Sequence, residues 1–419
     1  MAQSVYAESR EADITCFGTL AIAALSCSII LSAGSVVSPA HAGSPTDDEI
    51  TQELALLCLT SDDPPADLCD ALIVVGGSGG APTVSSTSFN TGILGAQGSS
   101  ANLTAHQQRE LLDKRLDGLK ESGNNQDSGG GASAEITSGR LGLFSNLQYS
   151  NTERETTALG IGYDAAVPSI HVGADYRFTD RFVAGIVGGY SSSDTDFDGN
   201  AGRLETDSYS GTLYGSLTPT RNIYADLYLG YASLNYDSKR TVSVGSSTGI
   251  AKGETDGNQW LAGASVEYQW AYDALTIVPY AKVDYAATDI DGYTEADKGG
   301  LGVAMSYEEQ EVRSLTTNFG VRGSYAFSTP VGVIVPQLRL AYVHEYKDDA
   351  RQIDSALVIS PTSGFSTPTD NPDRNYLLGG IGASIVLTGG VQLFTDYELV
   401  SGHDLIDAWT LSAGIRVEM

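Results

Sequence analysis

Residues 260–270, WLAGASVEYQW, alternate between two kinds of side chain. One set is apolar and consists of Trp260, Ala262, Ala264, Val266, Tyr268 and Trp270. The other set is mostly polar and consists of Leu261, Gly263, Ser265, Glu267 and Gln269. A period of two residues is that of a β-strand, whose successive side chains point to opposite faces. The segment is therefore predicted to be a strand with one apolar face.

Trp260 and Trp270 stand at the two ends of that apolar face. They are ten residues apart, which is about 33 Å along a strand, or about 25 Å if the strand is tilted by roughly 40°. This is the height of the lipid-facing band of a membrane barrel, and aromatic residues are typical of both bilayer interfaces. A soluble sandwich strand also alternates, but the ionisable residues on the opposite face favour a wet interior. We expect both tryptophans to belong to an aromatic girdle.

The same alternation recurs through residues 140–419, where five short links and six long ones separate the strands. The predicted strands cover residues 140–150, 157–178, 181–193, 207–218, 222–236, 258–271, 275–288, 312–328, 331–346, 374–388, 390–401 and 407–419. An even strand number with short turns at one end is typical of bacterial outer-membrane barrels, and closure leaves no unpaired edge in lipid. The predicted fold is all-β: a 12-stranded antiparallel up-and-down transmembrane β-barrel, preceded by a small, partly helical N-terminal region.

The charge of the chain limits its partners. The sequence has 23 Lys and Arg against 52 Asp and Glu, a net charge of −29, and this excludes nucleic acid as a partner. Ten charged residues of the barrel are expected to face the lumen: Asp175, Arg177, Glu267, Lys282, Asp284, Arg322, Arg339, Asp396, Glu398 and Arg416. A structural charge ladder along the wall is favoured over transport selectivity as their role.

The N-terminal segment has the pattern of an export signal. A moderately apolar stretch at 17–37 is followed by Ala40, His41 and Ala42, the small-x-small form that signal peptidase cleaves. We expect residues 1–42 to be a signal peptide, with cleavage between Ala42 and Gly43. The remaining pair of cysteines, Cys58 and Cys69, then lies in an oxidising compartment and is predicted to form a disulfide.

Two segments precede the barrel. Residues 43–103 are expected to be a short passenger, in which the disulfide staples a helix and a Gly- and Ser-rich linker follows. Residues 104–139 are expected to hold a helix to residue 121 and a Gly-rich segment. Thr104 and Gln107 form a capping box, and the spacing predicts the pairs Arg109–Asp113 and Glu110–Lys114. Whether this helix is solvated or lies in a pore stays open.

Candidate catalytic and metal-binding residues are few. His344 and Glu345 are adjacent in a predicted strand, so they point to opposite faces and cannot form a dyad in the lumen. His403 and Asp404 fall in a predicted loop without an accompanying nucleophile motif. Asp194, Asp196 and Asp198 lack the calcium-loop pattern and are interpreted as a solvated acidic loop. We therefore expect no enzyme, no metal and no cofactor.

The final residues carry the most specific motif. Ser412, Gly414, Val417 and Met419 resemble the C-terminal signal that the barrel-assembly machinery recognises, although members of such families usually end in Phe. The segments that carry a wider resemblance are GADYRFTDRFVAGIVGGYSSSDTDFD (173–198), LETDSYSGTLYGS (204–216), GETDGNQW (253–260) and VPQLRLAYVHEY (335–346). Together they resemble the C-terminal translocator domain of monomeric (type V) autotransporters.

This resemblance implies a function and partners. The barrel inserts in bacterial outer-membrane lipid, with help from the general secretion and barrel-assembly machineries, and it delivers or displays the N-terminal passenger at the cell surface as a monomer. Some relatives cleave themselves at paired asparagines, but Asn124 and Asn125 lack the flanking helix signature and are interpreted as linker residues. Two alternatives remain: a porin-like channel, and an adhesin that uses its long outer loops.

Overall fold

The computed structural model describes residues 92–124, 140–244, 247–298, 302–387 and 390–418. The predictions made for Ala40, Ala42, Gly43, Cys58, Cys69 and Met419 fall outside these residues. Among the described residues, no helix has both the length and the apolar character needed to cross a bilayer as a helix.

The described residues form one long helix and a series of strands. The helix α1 spans Gly92–Asn124. The strands are β1 (Leu141–Arg154), β2 (Tyr163–Thr179), β3 (Phe182–Phe197), β4 (Gly202–Thr220), β5 (Ile223–Val244), β6 (Ser247–Tyr268), β7 (Trp270–Tyr272), β8 (Leu275–Ile290), β9 (Tyr293–Thr294), β10 (Ala296–Asp297), β11 (Met305–Tyr307), β12 (Gln310–Tyr325), β13 (Phe327–Thr329), β14 (Gly332–Glu345), β15 (Gln352–Leu357), β16 (Ser360–Pro368), β17 (Asn375–Leu387), β18 (Val391–Ser401) and β19 (Ile406–Glu418).

Twelve wall strands close into an antiparallel barrel, which confirms the predicted fold. The wall strands are β1 to β6, β8, β12, β14, β17, β18 and β19, and each pairs with the next wall strand along the chain. The short strands β7 and β13 continue β6 and β12. The barrel is closed by the first and last strands, with Leu143 opposite Val417. On the other side β6 pairs with β8, with Trp260 opposite Ala287. Every wall strand therefore has two partners, as a strand in lipid requires.

The two faces of the wall differ as the alternation predicts. On β5, Leu227 and Leu229 are 65% and 52% exposed, whereas Asp226 and Tyr228 between and beside them are buried. Trp260 and Trp270 are both exposed on the outer surface, at 52% and 56%. A water-soluble protein rarely exposes so continuous an apolar surface, whereas the outside of a membrane barrel must be apolar.

Several long outer connections contain more strand than predicted. β5 and β6 continue into the segment 237–257 that was expected to be a loop. The segments expected to be loops at 289–311 and 347–373 contribute β9, β11, β15 and β16, which form a separate four-stranded sheet. In the outer part of β6 the exposed positions are polar, namely Lys252, Glu254 and Asp256. The strand pattern therefore continues beyond the hydrocarbon, where an apolar outer face is no longer required.

Helix α1 begins at Gly92 and not at Thr104, so the predicted helix start is wrong. Thr104 lies in the helix interior and is buried, and Gln107 bonds to the wall instead of capping. The earlier turns contain Gly95, Gly98, Ser99 and Ser100, which are weaker helix formers than alanine. They are stabilised by packing, because Ile93, Ala96 and Ala101 lie in an apolar cluster with wall residues of β2 to β5, β8 and β12.

The direction of α1 follows from its contacts at each end. Gln97 donates to the Tyr293 hydroxyl, at 3.4 Å, among the long connections. Lys120 contacts Asp226, close to the short turn between β4 and β5. The helix has 33 residues, about 50 Å at 1.5 Å per residue. It runs lengthwise through the lumen, with its N-terminal end at the long loops and its C-terminal end at the short turns.

Candidate functional site: the occupied lumen

Arg115 and Asp175 form the most buried ion pair between helix and wall. The guanidinium donates two bonds to the Asp175 carboxylate, at 2.6 and 2.7 Å. The Tyr214 hydroxyl donates a third bond to this carboxylate, at 2.7 Å. Both charged side chains are almost fully buried, so this pair fixes the rotation and height of α1 against β2.

Lys120 and Asp117 join a second network near the short turns. Lys120 lies 2.7 Å from Asp226 and 2.9 Å from Glu267. Arg322 of the wall contacts Asp117 at 2.6 Å and Glu267 at 3.1 Å. Helix and wall thus each supply both signs of charge, and the network ties α1 to β5, β6 and β12.

The opposite side of the helix meets β18 and β19. Lys114 contacts Glu110 of its own helix, as predicted, and also lies 3.0 Å from Asp396. Arg339 of β14 bonds Asp396 and Glu398 at 3.1 and 2.6 Å. These contacts complete a ring of charges around the inner half of α1.

The predicted pair Arg109–Asp113 is wrong, because Asp113 is used by the wall. The Lys282 ammonium bonds both oxygens of Asp113 at 2.9 Å. It also lies 3.3 Å from Asp284. Arg109 instead donates to the carbonyl of Ala105, at 3.2 Å, within the helix. A partner across the lumen has replaced a partner one helical turn away.

The remaining predicted lumen residues lie on the inward face of the wall. Arg416 is buried, donates to the Lys114 carbonyl and to Gln392, and lies over the Phe394 ring. Arg177 is half-buried near the short-turn end of β2. All ten residues predicted to line the lumen thus fall at inward-facing strand positions.

The C-terminal motif residues Ser412, Gly414 and Val417 lie in the closing strand β19. Ser412 is buried and contacts Lys114 of α1. A Cβ at Gly414 would stand 2.5 Å from the Ser145 carbonyl and would also overlap the Phe394 ring. The glycine is therefore required by the close approach of that ring.

The two histidine–acid pairs are placed differently. Glu345 faces inward and accepts from Ser314 at 2.6 Å, while the ring of His344 lies 2.8 Å from the Asn375 side-chain oxygen on the exposed side. The two residues therefore do point to opposite faces. His403 lies in the loop between β18 and β19 beside Asp373. Burial lowers the pKa of His403, against the opposing charge of Asp373.

One cluster of possible metal ligands lies in the described part of the lumen. Atoms of His106, Glu110 and Glu398 lie within 4.8 Å of one another. The two carboxylates already contact Lys114 and Arg339, so their charge is balanced by the protein itself. The cluster is interpreted as part of the charge ring.

The sequence predicted the wall charges but not their partners on the helix. Lys114, Arg115, Asp117 and Lys120 are buried in the lumen, yet in the sequence they are typical of a solvated helix face. The signal that could have found them is the coincidence of two charge sets: a dense set on the helix and an inward-facing set on the strands.

Comparison with known proteins places the barrel in a family. A family model described as the autotransporter beta-domain matches residues 143–398. The esterase EstA of Pseudomonas aeruginosa is 26% identical over 264 residues, which are 62% of this chain and 39% of EstA. The uncharacterized protein in the trpE-trpG intergenic region of Pseudomonas putida is 28% identical over 229 residues, 52% of this chain and 37% of that protein. This chain thus spans under half of the length of these relatives.

A solved structure supports the same fold. The translocator domain of autotransporter NalP from Neisseria meningitidis is similar with a TM-score of 0.57 at 15% identity, covering 80% of this chain and 100% of that domain. Because the family match covers more than half of the chain and falls on the closed barrel, this chain belongs to the autotransporter beta-domain family, and its barrel is an outer-membrane barrel.

Proposed function

We propose that this barrel delivers the chain preceding Gly92 to the cell surface and then remains closed by α1. The observation that carries the proposal is the course of α1. Its N-terminal end lies among the long connections, and its C-terminal end lies at the short turns, where β1 also begins. In outer-membrane barrels the long loops are extracellular and the short turns periplasmic. The chain before Gly92 therefore emerges on the outside.

The contacts of α1 support a closed lumen after delivery. Ion pairs reach the helix from β2, β5, β6, β8, β12 and β18. Removing one partner of a buried pair typically costs about 3–5 kcal/mol, since the other charge is left unpaired. A porin-like channel is disfavoured because the helix crosses the lumen where a porin keeps an open path.

In this proposal, the sequence similarity to EstA does not imply esterase activity for this chain. This chain covers 39% of EstA, and the family match lies on the barrel. We infer that the part shared with EstA is the membrane barrel and that this chain is not itself an esterase. Residues 43–91 then act as a short displayed segment, kept compact by the Cys58–Cys69 disulfide, after signal cleavage at Ala42.

Assembly follows from the same proposal. Export uses the general secretion machinery, and insertion uses the barrel-assembly machinery, which recognises the motif of Ser412, Gly414, Val417 and Met419. The girdle of Trp260 and Trp270 sets the depth of the barrel in lipid. A closed barrel has no free strand edge, so a monomer is sufficient.

The proposal predicts on which side of the membrane each end of the barrel lies, and protease accessibility tests this. A TEV protease site is inserted before Gly92 in one variant and in the short turn at Asp273 in the other. Added protease is expected to cut the first variant in intact cells and the second only after the outer membrane is permeabilised. Both cuts are measured by mass spectrometry of the released fragments.

The opposite pattern would overturn the proposed direction of export. Cleavage before Gly92 only after permeabilisation would place the N-terminal chain in the periplasm. The Asp273 variant is a matched control, because it carries the same inserted site in the same barrel and reports on leakage of the membrane.

A further inference from the structure

A cavity of about 500 Å³ lies between α1 and the wall at the outer end of the lumen. One side is formed by the helix, including Gly98 and Arg109, and the other by strands such as β1, β12 and β17. Residues of the long connections, such as Arg351 and His403, frame its outer side. This volume lies within the range of small-molecule sites. In the orientation proposed above, the long connections that frame the cavity face the outside of the cell.

Arg109 and Arg351 both line this cavity without an ion-pair partner among the described residues. The guanidinium of Arg351 makes one long bond, 3.4 Å, to the Gln310 amide oxygen. Arg109 donates only to a carbonyl of its own helix. By contrast, Arg115 and Arg339 each contact a carboxylate. The side chains of Arg109 and Arg351 are both partly buried, and the charges of Asp284 and Glu345 act on Arg109 without a direct bond. A bound anion would give each guanidinium the direct partner that it lacks among the described residues.

Among the described residues, the nearby carboxylates make no direct bond to either arginine. Glu345 accepts from Ser314 and from the Leu315 amide. Asp370 accepts from Arg154 and Thr157. Two further acids at the rim, Glu311 and Asp349, are exposed to solvent. The acids with buried oxygens are therefore already bonded, and the two arginines are left to face the cavity.

Arg351 packs closely against the helix at Gly98, where the lack of a side chain leaves room for its guanidinium. A Cβ at Gly98 would stand 2.6 Å from the terminal nitrogen of Arg351 and 3.2 Å from its central guanidinium carbon. Burial lowers the pKa of this loop arginine, with a smaller opposing effect from Tyr236. A cation so placed gains from a bound negative charge.

We propose that this cavity binds a small organic anion that has an apolar body and one carboxylate, sulfonate or phosphate group. Arg109 and Arg351 bind the anionic group by charge-assisted hydrogen bonds, which arginine forms well with such planar or multi-oxygen groups. The apolar body packs on Val312, Leu378 and Leu405, which line the same cavity. Because α1 forms one side, the ligand also contacts both helix and wall.

The test measures binding of naphthalene-2-sulfonate to the full chain in detergent, by isothermal titration calorimetry. Arg109→Gln and Arg351→Gln are each expected to weaken binding about tenfold, the usual effect of losing one charge-assisted bond. Arg203→Gln is the matched control, because Arg203 lies on the outer surface with Asp194 and Glu205 and not at the cavity. The affinity of the Arg203→Gln variant for the sulfonate is expected to equal that of the unchanged chain.

Two further comparisons separate an anion site from a merely apolar one. Naphthalene-2-methanol, which has the same body without the charge, is expected to bind at least tenfold more weakly. Gly98→Ala is expected to weaken sulfonate binding severalfold by displacing Arg351. Gly95→Ala is not, because no described residue beyond its own helical turn lies within 4 Å of a Cβ there.

Three results would each overturn the proposal. They are no binding of the sulfonate to the unchanged chain, equal binding of the alcohol, and undiminished sulfonate binding by the Arg109→Gln/Arg351→Gln double variant. Circular dichroism of every variant confirms that the barrel is folded, so that a loss of binding is not a loss of structure.

Discussion

The inner and outer halves of the lumen hold the same helix in different ways. Around the inner half, wall strands contact Arg115, Asp117 and Lys120 through buried ion pairs. Around the outer half, small residues such as Ala96 and Ala101 pack on an apolar cluster, and a cavity remains on the other side. The comparison indicates that the inner half fixes the position of α1, while the outer half leaves space that a ligand can enter.

The physical difference lies in what each kind of contact specifies. Apolar packing of small residues is tolerant of sliding, because the dispersion energy of each contact is small. A buried charge is intolerant, because any displacement leaves it unpaired in a medium of low dielectric constant. This difference can be tested at three positions of α1, namely Arg115, Gly118 and Gly95.

The largest effect is expected from Arg115→Ala. It leaves Asp175 buried with the Tyr214 hydroxyl as its only partner among the described side chains. Docking of α1 should weaken by about 3–5 kcal/mol, which raises the population of undocked helix by about two to four orders of magnitude. Single-channel recordings in planar bilayers should show openings that the unchanged chain lacks.

Arg109→Ala is the control for this measurement, because it removes an arginine of the same helix that bonds no carboxylate. It should leave the recordings close to those of the unchanged chain. Equal conductance of the two variants would mean that the inner charge ring does not hold the helix.

Much of the barrel could be predicted from the sequence because the alternation of apolar and polar side chains is visible within each single strand. The alternation around Trp260 and Trp270 reports directly which face touches lipid, and the turn residues divide the strands. The outer extensions of β5 and β6 could not be predicted in this way. Above the hydrocarbon their exposed residues become polar, for example Lys252 and Glu254, and polar residues are equally typical of loops.

The site was less predictable because it depends on distant pairs. Asp113 has a suitable partner at Arg109 one turn away, yet it bonds Lys282 of β8 instead. Only the folded lumen decides between them. The first turns of α1 were not predicted for a related reason. Glycine and serine have low helix propensity, and this Gly- and Ser-containing segment is helical because it packs on the wall.

An intermediate effect is expected from Gly118→Ala in the inner half. A Cβ there would overlap the guanidinium of Arg416, which is buried and bonded to the Lys114 carbonyl. Overpacking typically lowers the free energy of unfolding by about 1–3 kcal/mol. The higher helix propensity of alanine offsets up to about 1 kcal/mol of this loss. A net loss of about 1–2 kcal/mol should appear as a lower thermal unfolding midpoint by circular dichroism.

The smallest effect, with the opposite sign, is expected from Gly95→Ala in the outer half. Among the described residues outside its own helical turn, none has an atom within 4 Å of the added Cβ, so no steric cost is expected from them. Replacing glycine by alanine in a helix interior stabilises it by about 0.5–1 kcal/mol, chiefly by restricting the unfolded chain. The unfolding midpoint should therefore rise. A fall similar to that of Gly118→Ala would contradict the comparison, because the outer half of the helix would then be packed as tightly as the inner half.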